Sequence, residues 1–457
     1  MGVCPQGFRF LASCLPFTFK SKDESVPSKQ ERDNKSLLAE SESEFYQWFV
    51  GFSDAESSFF IQPVLNSDGT KVSRFSFKFM IELHKDDWGV LEFIKNKLKI
   101  GNLRLSKDKC IFIVSDKAGI YMLIKIFDKY NLNTTKYLDY LNFKNAFVLY
   151  YEREKHLKVV DAEELKDQIL EIKNHMNTKR TDFNMNHHKV VITKNWLLGF
   201  IEGDGSFFIS RTKIVPVFSI GLTECNLHLL LKIKEFLILN LGFDKYSSYK
   251  LRCSSVISIN KQKARLGKPS VTFVIQNINI LNNYFIPYLE DMKFISKKGL
   301  DFLDFKTICK AIYCGSHKRE EIKALILKLS YTMNNFRLST NPGESSIIYL
   351  IKSEIDKIKN AKPTLEHLSD GRVRDIATKK IVSSNASCVY EISKPNGEVL
   401  IVETLDEVLK IVGVGFRTLK SRLDVEVLEG QEGFSSLAPE FNGHIIKRIP
   451  VFYPNKR

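Results

Sequence analysis

No C-x-x-C spacing occurs in this chain of 457 residues, although it holds eight cysteines. Cys4, Cys14, Cys110, Cys225, Cys253, Cys309, Cys314 and Cys388 are scattered. That scatter points away from a zinc site and a disulfide framework and fits a reducing compartment. No apolar run is long enough to span a bilayer, so no membrane partner is expected. Acids are in deficit, with 53 Asp and Glu against 68 Lys and Arg, a formal charge of +15 and a pI near 9.2. Such a balance suits a polyanionic partner, nucleic acid before a membrane surface. A hydrophobic content of 44% and an aromatic content of 12% suffice for a packed core.

What the chain does have is a long repeat. Residues 48–61 read WFVGFSDAESSFFI, and residues 196–209 read WLLGFIEGDGSFFI. Thirteen of the fourteen positions match by type, at a constant offset of 148 residues. A repeat of this length marks a duplicated unit. Residues 44–55 and 194–203 are apolar enough to be largely buried helices. Each ends in two acids just before a Ser or Gly, where a helix C-terminus is expected. Carboxylates are disfavoured there, because that end of the macrodipole is already negative. A local rule broken identically twice points to a functional site. The simplest compensation is a cation shared by acids of both copies. Gly51 and Gly199 lie mid-helix, at a cost of about 1 kcal/mol each relative to Ala. That cost is explained if the two helices cross closely, which would bring Glu56 and Asp204 together.

The rest of the unit is also duplicated. After the first signature come strands 58–64 and 74–83 around an Asn66–Thr70 turn, a helix over 87–98, a strand over 110–114 and a helix over 121–128. After the second come strands 206–210 and 217–222, a helix over 227–239, a strand over 271–275 and a helix over 281–289. Both units close on K-x-L-D-[YF]-L-[ND]-F-K, at Lys136–Lys144 and Lys298–Lys306. The fold class is therefore α+β. It consists of two pseudo-symmetric αββαββα halves, residues 41–155 and 195–335, with an insertion around 248–268 in the second. Two twisted antiparallel sheets side by side would form a concave saddle, in which every second side chain faces the groove.

The flanks are less informative. Residues 1–40 read as a leader: 1–22 carry no acid and suit a secretory signal, an organellar presequence or upstream coding sequence, and 21–44 read as disordered. Residues 156–194 are expected to link the halves, with a helix over 161–177. His187 and His188 in that linker lack the framework of a metal site and are expected to be an ordinary exposed pair. Lys261, Lys263, Arg265 and Lys268 alternate along a hairpin tip suited to following phosphates. Residues 336–387 read as a second linker with a helix over 347–358. Residues 388–457 form a small C-terminal module of hairpin, helix, glycine turn and helix. The last helix bears Arg417, Lys420 and Arg422, suited to a groove or to phosphates.

The paired signatures resemble those of the LAGLIDADG homing endonucleases, the monomeric kind with two motifs in one chain. The resemblance covers about residues 40–335. The C-terminal module is similar, over a short stretch, to the modular DNA-binding repeats appended to homing nucleases. In the family the acid at the eighth motif position binds a divalent metal, which maps onto Glu56 and Asp204. Backbone carbonyls at Ala55 and Gly203 would assist, and Mg²⁺ (or Mn²⁺) is the implied cofactor. Asp54 and Glu202 fall where the family's acid is structural. Ser57 departs from the usual Gly and would be strained if the turn were left-handed. By register with the family, Phe60, Gln62, Phe208 and Ser210 would face DNA, with Gln62 reading adenine. Phe59, Ile61, Phe207 and Ile209 would pack inside. Lys117 falls where the family places a basic residue beside the scissile phosphate, whereas the second copy has Asn277-Ile278-Asn279 there.

The resemblance implies a site-specific double-strand DNA endonuclease that promotes intron mobility and acts as a monomer with internal pseudo-two-fold symmetry. Two alternatives stay open: an RNA maturase that binds its host intron RNA, alone or as a second role, and a catalytically inactive DNA-binding relative. A composition rich in Lys, Ile, Asn, Leu and Phe suits an AT-rich organellar genome, so a fungal mitochondrion is the expected location.

Overall fold

The computed structural model describes residues 29–152, 162–253, 256–263, 267–340, 354–368, 372–382, 387–423 and 439–453 (for 29–40, 162 and 253 the backbone only). Among the described residues the chain divides at Glu44–Phe45; both sheets, the helix crossing and the C-terminal module belong to the unit that begins at Phe45. Arg265, most of the expected leader, and residues 347–353 of the expected second-linker helix lie outside the described residues.

The first half begins with α1 (Lys29–Glu56) and continues into β1 (Ser57–Leu65) and β2 (Val72–His84). Then come α2 (Trp88–Leu98), β3 (Asn102–Ser106), β4 (Lys109–Val114), α3 (Lys117–Lys129) and α4 (Lys136–Tyr151). Its antiparallel sheet has the order β1-β2-β4-β3. The second half repeats the series with α6 (Lys194–Asp204), β5 (Gly205–Ser210), β6 (Val215–Thr223), α7 (Leu227–Asn240), β7 (Ile257–Gln262) and β8 (Ser270–Ile275), in the order β5-β6-β8-β7. A helix interrupted by a π turn over Leu281–Phe285 (α9, 278–290) and α10 (Lys298–Tyr313) complete it. The fold class is α+β. Residues 29–44, expected to be disordered, extend α1 backward, consistent with a segment free of Gly and Pro.

Alternation in the strands decides what each half buries. Phe59 and Ile61 of β1, and Phe207 and Ile209 of β5, are buried. Phe59 meets Phe79, Tyr140 and Phe143, and Phe207 meets Phe218, Phe302 and Phe305 in matching positions. Their neighbours Phe60 and Phe208 face outward and are 41% and 37% exposed. The outward phenylalanines are therefore not part of the core that holds each sheet on its helices.

The unit is longer than the closing motif suggested. The helix α5 (Ala162–Asn174), expected to be a linker, packs on α4 and is the counterpart of α11 (Glu320–Ser330). After each comes M-N-x-x-R, at Met176–Arg180 and Met333–Arg337. Asn177 and Asn334 adopt positive φ (55° and 58°), and their side chains donate to the carbonyls of Phe59 and Phe207. Arg180 pairs with Asp139, and Arg337 with Asp301, both at 2.9 Å. These contacts tie the tail of each half back onto its first strand and its closing helix.

The second linker is folded in part. A hairpin of β9 (Leu365–His367) and β10 (Val373–Asp375) sits at the end of α10, where His367 stacks on Tyr313 at 3.8 Å. The C-terminal module holds the expected hairpin, β11 (Cys388–Ser393) and β12 (Val399–Val402). Its helices are α12 (Leu405–Val412), with a capping box at Thr404 and left-handed Gly413 after it, and α13 (Phe416–Leu423). The sequence pattern does not reveal β14 (His444–Pro450), which pairs with β11 and, with β13 (Glu440–Phe441), makes a four-stranded sheet. The module docks on the second half through the insertion helix α8 (Lys245–Cys253). Lys250 pairs with Glu403 at 2.7 Å, Tyr246 donates to Glu391, and Ser247 Oγ accepts from Phe452 N. No counterpart of α8 stands between α2 and β3 of the first half.

The halves meet where α1 and α6 cross. A Cβ on Gly51 would lie 2.0 Å from the Trp196 carbonyl oxygen, and one on Gly199 would lie 2.1 Å from that of Trp48. Real side chains cannot come so close, and the obstacle is backbone. Gly51→Ala or Gly199→Ala gains at most about 1 kcal/mol of helix propensity but must force the helices apart, an overpacking cost of about 3 kcal/mol or more. Either variant should therefore lower the midpoint of urea unfolding. An unchanged or raised midpoint would contradict the close crossing.

Candidate active site and nucleic-acid interface

Each central helix ends in two acids with different jobs. Asp54 is buried; it accepts from Asn133 N at 2.6 Å, from Thr134 N at 3.0 Å and from Thr134 Oγ1 at 2.7 Å. Glu202 does the same for the loop before α10, accepting from Ile295 N at 2.9 Å and Ser296 N at 2.5 Å. Each also accepts an indole N–H from the other half: Trp196 donates to Asp54 at 3.0 Å and Trp48 to Glu202 at 3.2 Å. The sixth-position acids thus cap a loop at home and hold the opposite helix. With every oxygen so engaged, they are structural.

Glu56 and Asp204 have no such partners in their own loops. Both line one cavity of about 710 Å³ at the end of the crossing, together with Glu82, Lys109, Lys297 and Lys298. Burial pushes the Glu56 carboxyl up. Burial, then the Glu56 charge beside it, pushes Asp204 up from its ordinary 3.8 to about 7. Two lysines oppose these shifts, Lys136 and Lys298, the first residues of α4 and α10. Lys136 Nζ donates to the carbonyls of Ser53 at 2.9 Å and Ala55 at 3.1 Å. Two adjacent carboxylates in a partly buried site make an electrostatic demand for positive charge.

The residues suit a hard divalent cation. All donors are oxygen, as Mg²⁺ and Mn²⁺ prefer. Gly203 permits the approach: a Cβ there would lie 2.3 Å from Ala55 Cβ and 3.2 Å from Glu56 Oε1. Among the described residues no group of three or more His, Cys, Asp or Glu side chains is placed to hold a metal. Two carboxylates with water and phosphate oxygens are a common Mg²⁺ arrangement, so the pair fits. The Ala55 carbonyl, expected to assist a metal, already accepts the Lys136 ammonium.

Other expectations fare differently. Ser57 is not left-handed; it starts a strand, and its hydroxyl donates to Ser53 O at 2.7 Å, so the departure from Gly carries no strain. Lys117 opens α3, with its Nζ 4.7 Å from the Tyr151 ring, and does not line the acid cavity. Lys109, Lys297 and Lys298 line that cavity, and Lys136 sits at the end of α1 beside it. The two lysines at the helix starts were visible as the first letter of the repeated closing motif, but nothing local tied that letter to the acids. Asn277 caps α9, accepting from Asn279 N and Ile280 N, as Asp116 caps α3. Gln62 faces outward, and its Oε1 accepts from Lys78 Nζ at 2.8 Å. Ser210 is half-buried at the end of β5, Lys261 pairs with Glu224 at 3.0 Å, and Lys263 is exposed. His187 is exposed, but His188 is not an ordinary surface residue, because its ring lies 4.0 Å from that of Tyr137.

A family model described as LAGLIDADG endonuclease matches residues 49–147 and 197–309. The two motifs, the crossed glycine helices and the duplicated αββαββα frame agree with it, and these two stretches belong to the LAGLIDADG endonuclease family. It is 29% identical over 322 residues to the uncharacterized mitochondrial protein RF1 of Saccharomyces cerevisiae, covering 69% of this chain and 64% of that protein. It is 32% identical over 198 residues to the probable intron-encoded endonuclease Cox1-I1b of Schizosaccharomyces pombe, covering 42% of this chain and 49% of that one. The chain thus spans less than two thirds of the length of these fungal relatives. Among solved structures, the LAGLIDADG homing endonuclease I-GzeII in complex with its DNA target is 26% identical. That match covers 64% of this chain and 99% of the other, with a TM-score of 0.53.

The raised Asp204 makes a pH test. Its folded value of about 7 exceeds the unfolded value near 3.8, so between these the folded chain holds a proton the unfolded chain has lost. This group's contribution is full below the unfolded value and is lost as pH rises towards 7, by up to about 1.4 kcal/mol per pH unit. Asp204→Asn, which mimics the protonated form, should be more stable than wild type at pH 8, with the gap closing towards pH 4, in urea unfolding without divalent ions. An equal gap at both pH values would refute the partly buried, repelled carboxylate.

Proposed function

We propose that this chain is a site-specific endonuclease that makes a double-strand break in a long DNA target, acts as a monomer and serves intron mobility in a fungal mitochondrion. One observation carries the reading. Two half-buried carboxylates, Glu56 and Asp204, one from each half, line a single cavity at the crossing of the family's two signature helices. The I-GzeII structure, with its DNA target, and the intron-encoded fungal relatives support the same reading.

Glu56 and Asp204 would hold Mg²⁺ or Mn²⁺, which when bound supplies a water nucleophile at neutral pH and neutralises phosphate charge. The chain's own residues do the rest. Lys298 lines the cavity and offers positive charge to a phosphate placed there, favouring the more highly charged transition state, while Lys109 beside it is paired with Glu82. Lys136 holds the C-terminal carbonyls of α1 in place and keeps the end of that helix from repelling a phosphate. Lys117, tied to an aromatic ring, serves the phosphate only if it leaves that ring. Outward Phe60, Gln62, Phe208 and Ser210 present apolar and amide groups to base edges. On the C-terminal module, Arg417 and Lys420 suit phosphates. Arg422 is exposed but already engaged, 5.0 Å from the Phe441 ring with Nη1 donating to Glu440 O, and is a weaker candidate.

The test is cleavage of a DNA library built from intronless alleles, with Mg²⁺. Wild type should cut one long site. Glu56→Gln and Asp204→Asn should each lower the double-strand cleavage rate by about a hundredfold or more while keeping DNA affinity. In the same assay, Arg417→Gln with Lys420→Gln should weaken binding and flatten its salt dependence by up to about two units of slope, leaving the saturated cutting rate intact. Folded protein that cuts nothing, yet restores splicing of an intron RNA, would replace this reading with the maturase. DNA binding without cutting would leave an inactive relative.

A further inference from the structure

The two sheets share a topology but not a surface chemistry. Strand register assigns the outward side of each residue. In the first sheet, Phe60 faces Lys78, Val64 faces Arg74 and Ile111 faces Arg104, all on the side away from the helices. Arg74 and Arg104 are exposed and have no ion-pair partner among the described residues. Lys78 reaches Gln62, which leaves its charge uncompensated. The one outward acid, Glu82, is matched by Lys109 at 2.5 Å. The first sheet therefore presents three unneutralised cations.

The second sheet presents none. Its outward positions on β6, β7 and β8 include Ser219, Thr223, Asn260, Gln262, Thr272 and Val274, and the others on that side are valine, glycine or serine. On β5 they are Ser206, Phe208 and Ser210. Every one is uncharged, and the polar ones are hydroxyls or amides. The basic residues of this half lie elsewhere. Lys261 pairs across to buried Val271, so it belongs to the other side of the edge strand, and it is bound to Glu224. Arg211 lies 3.8 Å from the Tyr331 ring and donates to Ser330. The cationic helix α13 belongs to the module docked on this half through α8 and α9.

Base edges discriminate between these surfaces. Guanine offers two acceptors in the major groove, which arginine or lysine satisfies; adenine pairs with Asn or Gln; and the thymine methyl accepts apolar contact. We infer that the two halves of the target are read by different chemistry. The first sheet reads guanine through Arg74, Lys78 and Arg104. The second reads A·T pairs through uncharged amides, hydroxyls and Val274, and its missing positive charge comes from the C-terminal module beyond it. The inference rests on the endonuclease reading above, and it predicts a compositionally lopsided target.

The experiment is selection of bound duplexes from a random-sequence library by the full chain, without divalent ions. The expected consensus is long, with guanine concentrated on one side. Arg74→Gln and Arg104→Gln should each lose guanine discrimination on that side by roughly tenfold or more, and change nothing on the other. Asn260→Ala should relax an A·T position on the opposite side only. All three side chains are exposed, so folding is not at stake. Guanine spread evenly over both sides would overturn the inference, as would arginine variants that weaken all sequences equally, because those side chains would then be gripping phosphates. Failure of the full chain to enrich any duplex would sink the endonuclease reading itself.

Discussion

Everything in this fold depends on the contact between two helix backbones. At Gly51 and Gly199 the helices α1 and α6 come so near that a single methyl group on either would strike the other's carbonyl. That approach joins the two halves and sets their ends side by side. It also dictates the chemistry at those ends. Four acids arrive together where the helix dipoles are least hospitable, and two of them are consumed at once by loop amides and by the opposite indole. The other two remain, adjacent and poorly solvated, and it is this remainder that calls for a cation.

Around this symmetric joint the chain has become asymmetric. Both halves tie their tails back with the same Met-Asn-x-x-Arg device and cap the same loops in the same way. Yet the first half carries its positive charge on the face of its sheet, and the second carries it on an appended module held by an inserted helix. Duplication preserved what the joint requires and released what faces outward. An interface that must distinguish two unlike half-sites benefits from that freedom, because specificity is a difference of contacts.

Much of this is legible in the sequence. The two-fold repeat, the glycine crossing and the pairing of Glu56 with Asp204 follow from periodicity and from helix ends that break an electrostatic rule. Strand polarity also places Phe60 and Phe208 outward, because period-two alternation admits only two faces. What escapes the sequence is set by tertiary contact. Lys136 reads as an ordinary N-terminal lysine until the loop between α3 and α4 brings it to the end of α1. The helix α5 looks like a linker because its counterpart α11 is dissimilar in sequence, and only the short M-N-x-x-R echo connects them. Strand β14 lies across a gap of sequence from its partner β11, a distance at which pattern alone gives no pairing. Lys117 departs from its expected place through a shift in helix start: the helix begins at that residue and turns its side chain to Tyr151.

The most direct test is to follow the Asp204 carboxyl carbon by NMR as pH is varied, with and without Mg²⁺. If two repelled carboxylates share a divalent cation, Asp204 titrates near 7 alone and at a clearly lower pH once Mg²⁺ is added, and Glu56→Gln lowers the value measured without metal. An Asp204 that titrates at an ordinary carboxylate pH, or whose value is indifferent to Mg²⁺ and to Glu56, would contradict the account: the lysines would then have neutralised the acids already, and the crossing would be structural only.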